Sequence, residues 1–113
     1  MSDPHASPAP GVPTELVVLL DATASALSGV DRRQDGRGVT WSIGGQPIAI
    51  VEGTMASFRI GREIGAAARN TPDASASALG PDWVALQPES LDDHARDRAV
   101  AWFAAAHRRA GRG

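Results

Sequence analysis

His94 and Asp97 stand three residues apart in ESLDDHARDRAVAWFAAAHRR, which runs from Glu89 to Arg109. In a helix, with about 100° of rotation per residue, this spacing sets an imidazole one turn from a carboxylate. General acid–base catalysis uses such a pair, and a metal site could be built on one. A metal needs further ligands, however. His107 follows 13 positions later, ~20 Å along the same helix and about 140° around it, so the two rings cannot share an ion. No recognisable motif sets a Ser or Cys nucleophile beside His94, and the chain has no Cys. GGQP and GREIG lack the lysine and the glycine spacing of a phosphate loop. A carboxylate pair for hydrolysis needs one acid in an apolar pocket, whereas Glu52 and Glu63 flank turns and read as solvated. The charges of the segment have a simpler origin. Asp92 and Asp93 in a first turn and Arg108 and Arg109 in a last turn complement the helix dipole, and Asp92 can pair with Arg96. The segment therefore reads as the hydrated side of a helix, with an enzyme or metal protein centred on His94 and Asp97 as the second alternative.

Arginine is the other candidate chemistry. All 11 basic residues are Arg, against 13 acids, for a net charge of −2. A guanidinium is a planar five-donor fork suited to phosphate or carboxylate. Asp31 to Arg69 holds six Arg and four acids, whereas Met1 to Val30 holds three acids and no Arg. Arg32, Arg33, Arg37, Arg59 and Arg62 are thus candidates for a modest basic edge that would bind nucleic acid or another anion. A charge run is more often a solvated surface, and the abundance of Ala, Gly and Pro beside Arg is what a GC-rich gene encodes. The acidic balance gives no whole-molecule attraction to phosphate backbones or anionic lipid.

The elements that position these residues follow from periodicity. Met1 to Val12 is rich in Pro, Ala and Ser with nothing to bury, and is expected to be a disordered tail ahead of one domain over residues 13–110. Pro13 suits a first helical turn; Leu16, Leu20, Thr23 and Leu27 continue at helical spacing, and Gly29 marks a stop. DRRQDGRG is expected to be a polar connection. A period of two then sets Val39, Trp41 and Ile43 on one face and Thr40 and Ser42 on the other. Gly44-Gly45 predicts a hairpin turn, QPIAIVE a second strand with Pro47 at its start, and MASFRI a third. GREIGAAARN predicts a short helix, TPDASASALGPD a surface loop, and WVALQ a fourth strand.

A variant capping box of Ser90 and Asp93 would open the last helix, from about Leu91 to Ala110. On its wheel Leu91, Ala95, Ala99, Trp102 and Ala106 fall within about 80°, with Phe103 on the margin; Asp93, Asp97, Ala104 and Arg108 lie opposite. Trp41, Trp83 and Trp102 all occupy positions assigned to the interior.

These readings predict an α+β domain: an N-terminal helix, a three-stranded antiparallel meander, a short helix, a fourth strand and a C-terminal helix packed on the sheet. At 113 residues and 42% hydrophobic, the chain is long enough for one small core. Its longest aliphatic run, Leu16 to Leu20, is far short of the roughly 20 residues that span a bilayer. MSDPHASPAPGVP has neither a basic n-region nor an apolar h-region, so a cytoplasmic protein without membrane contact is expected.

The order of elements resembles the MmcQ/YjbR family of small bacterial proteins, related in fold to the TfoX N-terminal domain. SIGGQPIAIVEG, FRIGREI and DWVALQPESLDDHARDRAVAWFAAAHRR carry the resemblance, which spans Leu16 to Arg109 in outline. Small domains labelled luciferase-like share a similar outline. The resemblance implies DNA binding, a role commonly ascribed to the family from its fold, and implies no catalytic residues. The expectation is a non-catalytic binding or accessory domain with a protein or small-molecule partner and no cofactor or metal. DNA binding through the arginine edge is the alternative.

Overall fold

The computed structural model describes residues 12–111; the tail expectation, apart from Val12, lies outside them. Helix α1 covers Val12–Ser25. It buries Leu16 and Leu20 completely, the i, i+4 stripe that its spacing requires. Bonds from Ala26 N to Thr23 O (3.1 Å) and from Leu27 N to Ala24 O (3.0 Å) tighten the chain beyond it.

Six antiparallel strands follow: β1 (Asp31–Gln34), β2 (Gly38–Ile43), β3 (Gln46–Glu52), β4 (Met55–Arg59), β5 (Ala74–Ala76) and β6 (Trp83–Leu86), with helix α2 (Arg62–Ala68) between β4 and β5 and helix α3 (Asp93–Gly111) last. The sheet order is β1-β2-β3-β4-β6-β5. The expected meander is β2–β4, and WVALQ supplies β6. Gly44 and Gly45, at φ 57° and 82°, close the β2–β3 turn between paired Ile43 and Gln46. Side chains at both positions would be strained in the left-handed region.

Two strands lie where connections were expected. All four residues of β1 are exposed, so no apolar alternation announces it; an edge strand is held by its backbone pairing to Val39–Ser42. Strand β5 sits inside the expected surface loop. Its three residues pair with Val84 to Leu86 at the opposite edge, where small residues are tolerated because only one neighbour is present.

Register defines two faces. Arg32, Trp41, Ala49, Phe58, Val84 and Ala76 lie in one row, facing the helices. Arg33, Thr40, Ile50, Ser57, Ala85 and Ser75 lie in the adjacent row, facing away. A bulge in β3 brings Ile48 and Ala49 together opposite Trp41, and both are buried.

Helices α1 and α3 cover the inner face. Trp41, Phe58 and Phe103 are fully buried, and Phe103 meets Trp41 edge-on at 5.8 Å between ring centroids. The wheel sets Trp102 within the apolar sector and Phe103 on its margin, whereas in the structure Phe103 is the more deeply buried of the two. Trp102 is half-buried and packs edge-on against Phe58 at 6.0 Å. The contact with α1 on one side and β2–β4 on the other centres the buried stripe on Ala99, Phe103 and Ala106. Trp83 is interior as expected, at 9% exposure, but lies opposite Arg59 on the outer face, in a hollow shared with Leu79, Gly80 and Pro81.

The cap of α3 also differs from expectation. Asp92, one residue before the helix, accepts a bond from Ala95 N at 2.9 Å through its side chain and one from Arg96 N at 2.9 Å through its carbonyl. It replaces Ser90 as the capping residue and starts the helix at Asp93. None of the described helices is long and apolar enough to cross a membrane.

Candidate functional site

The outer face is covered over Ser57 and hollowed toward either edge. Near β4 and β6, Ser77 Oγ meets Ser57 Oγ at 3.4 Å, and Ser57 is 4% exposed. Toward β1 and β2 the face is hollowed. A depression of about 440 Å³ is lined by Asp31, Arg32, Arg33, Asp35, Thr40, Ser42, Gly45 and Pro47.

Each of its polar groups has a local cause. Thr40 and Ser42 face outward because Val39 and Trp41 face the core. Arg33 is paired with Thr40 across β1–β2 and so shares its face. Asp31 lies beside Ser42 by the same register. Asp35 closes the hairpin: its Oδ1 accepts the N–H of Arg37 at 2.8 Å and of Gly38 at 3.1 Å. These two bonds, with a smaller contribution from the Arg37 and Arg33 charges, hold its carboxyl below the usual carboxylate range. The wall therefore carries the Arg33 guanidinium and two carboxylates, with hydroxyls between them, while Arg32 borders it and turns its guanidinium to the helix side.

The five candidate arginines do not share an edge. Arg32 faces the helices, where its Nε donates to Asp21 Oδ1 at 2.8 Å; the same oxygen accepts Trp41 Nε1–H at 3.0 Å. Arg33 faces the opposite side. Arg37, at the β1–β2 turn, lies 3.7 Å from Glu52 Oε2. Arg59 is at the far end of β4, three strands from β1, and lines the hollow over Trp83. Arg62 begins α2 and belongs to a third cleft, with Arg108 and Arg109. Strand alternation divides Arg32 from Arg33, and the width of the sheet divides both from Arg59.

His94 and Asp97 are exposed on α3, and neither lines these hollows. The His94 carbonyl accepts a bond from Arg98 Nε at 3.3 Å. His107 Nε2 lies 2.9 Å from the Ser28 carbonyl, tying α3 to the segment after α1. His5 is outside the described residues. Among the described residues no group of three or more His, Asp or Glu is placed to hold a metal.

Asp21 and Asp82 are the polar residues that sequence reasoning missed. Asp21 anchors Trp41 and Arg32, and Asp82 lies 3.6 Å from Arg109. An aspartate among the aliphatic residues of α1 is the only local signal for the first; nothing local marks the second. The chain matches no protein-family model, no curated protein and no solved structure.

Proposed function

We propose that this chain is a small cytoplasmic binding domain of YjbR-like type, and that it takes a compact polar ligand in the outer-face hollow rather than carrying out a reaction. The observation that supports this reading is the hollow's wall: Arg33, Thr40 and Ser42 lie between Asp31 and Asp35 in a depression of about 440 Å³. Its volume falls within the range of small-molecule sites. A guanidinium flanked by two carboxylates favours a ligand that carries both charges, such as a free amino acid or a similar zwitterion. A polyanion would meet two carboxylates there. Binding rather than catalysis is favoured by the exposed positions of His94 and Asp97 outside the hollow.

Isothermal titration with a panel of amino acids and other small zwitterions tests the reading. The expected result is saturable binding that Arg33→Ala weakens tenfold or more, since a hydrogen bond to a charged group contributes about 1.5–3 kcal/mol. Thr40→Val should weaken it less. Binding unchanged in the Arg33→Ala, Thr40→Val double variant would remove the hollow as the site. Saturable, steeply salt-dependent affinity for duplex DNA would instead support the arginine-based alternative.

A further inference from the structure

We infer a second binding site, independent of the sheet-face hollow, for an amphipathic organic anion in the cleft between the start of α2 and the end of α3. The cleft has a volume of about 420 Å³ and is lined by Ile60, Gly61, Arg62, Glu63, Ile64, Asp82, Ala105, Arg108 and Arg109. Three guanidiniums face two carboxylates, so the walls carry an excess of one positive charge.

Arg109 is held in place. Its guanidinium lies 3.6 Å from Asp82 Oδ2, and Gly61 N–H donates to the Asp82 carbonyl at 2.9 Å. Gly61 has φ 98°, and a Cβ there would stand 3.1 Å from Arg109 Nε, so a larger residue would crowd the guanidinium. Arg62 and Arg108 are exposed, and neither has an ion pair with another described residue. Their donors are available to an incoming oxyanion, which a guanidinium fork accepts in bidentate fashion. The helix dipole accounts for Arg108 and Arg109 at the end of α3, but not for Arg62 across the cleft.

The apolar part of the cleft supplies the second half of the specificity. Ile64 is 54% exposed, one of three large hydrophobic residues left open to solvent among the described residues, and it shares this cleft with Ile60 and Ala105. A ligand with a phosphate or carboxylate on an apolar body would cover Ile64 while its oxygens reach Arg62 and Arg108. The shared chemistry is the oxyanion, and phosphate and carboxylate are separated by experiment.

The test is a titration of ¹⁵N-labelled protein at constant ionic strength with phenyl phosphate, benzoate, inorganic phosphate and benzylammonium, following the amides of Gly61, Ile64 and Ala105. Saturable shifts are expected with phenyl phosphate or benzoate, and the tighter of the two identifies the preferred oxyanion. Inorganic phosphate should bind several-fold more weakly, and benzylammonium should give no saturation. Arg62→Gln with Arg108→Gln, both exposed, should weaken binding about tenfold or more while leaving the spectrum dispersed. Ile64→Ala should weaken phenyl phosphate but not inorganic phosphate. Binding of either aromatic anion that is unchanged in the double arginine variant would overturn the inference. So would equal binding of the cation, or the lack of saturation by both aromatic anions.

Discussion

Asp21 is the residue whose removal tests the architecture most directly. Its Oδ1 accepts the Trp41 indole N–H at 3.0 Å and Arg32 Nε–H at 2.8 Å, joining α1 to β1 and β2. Trp41 is fully buried, so Asp21→Ala would leave its N–H without a protein partner, at a cost of about 1–3 kcal/mol. The Asp21–Arg32 pair, with both side chains 38% exposed, adds at most about 1 kcal/mol after solvent screening. The expected loss is therefore about 1–4 kcal/mol. For a domain of this size each kcal/mol lowers Tm by about 4–8 °C, so a mid-range loss of about 2 kcal/mol gives a fall of roughly 8–16 °C. Urea unfolding and calorimetry of Asp21→Ala, Asp21→Asn and Arg32→Ala would apportion the effect. Asp21→Asn keeps an oxygen for the indole and should cost less than Asp21→Ala; Arg32→Ala should cost about 1 kcal/mol. If Asp21→Ala were no more destabilising than Arg32→Ala, the buried indole bond would contribute nothing, and the reasoning would fail.

Phe103→Ala should destabilise by about 3–5 kcal/mol, and Trp102→Ala by clearly less, because Phe103 occupies the core position and Trp102 is half-buried; chemical denaturation of both variants compares them. Asp92→Ala should cost about 1 kcal/mol through loss of the cap of α3, whereas Ser90→Ala should be near neutral in the same assay. Asp35 has a carboxyl pKa lowered in the folded chain, so its contribution to stability is present above the unfolded value and is lost as pH falls through the folded one. The stability difference between the wild type and Asp35→Asn should accordingly narrow as the pH drops below about 4, where aspartates ordinarily titrate, as read from unfolding curves taken between pH 7 and pH 2.

Local pattern made much of this fold legible. The alternation in VTWSI put Trp41 inside and Thr40 and Ser42 outside, and Gly44-Gly45 placed the turn, because a strand's faces and a tight turn's dihedral angles depend on neighbouring residues alone. The helical stripe through Leu16 and Leu20 was readable for the same reason. Strands β1 and β5 were not: their residues are polar or small, and they are strands because a partner's backbone is beside them. The wheel located the apolar side of α3 but ranked Trp102 above Phe103, since the direction in which a helix leans depends on what it packs against.

The candidate site divides in the same way. Composition showed that arginine was the chemistry available, and hydrophobic periodicity alone sent Thr40 and Ser42 to the outer face. Tertiary structure decided which arginines meet. Arg32 and Arg33 are neighbours in sequence but point to opposite faces, and Arg62 joins Arg108 and Arg109 across more than 40 intervening residues. Side-chain alternation and turn geometry act over a few bonds and are written in the chain locally. The grouping of charges into a hollow or a cleft depends on strand order and helix docking, which arise only when distant segments bury their apolar faces against one another.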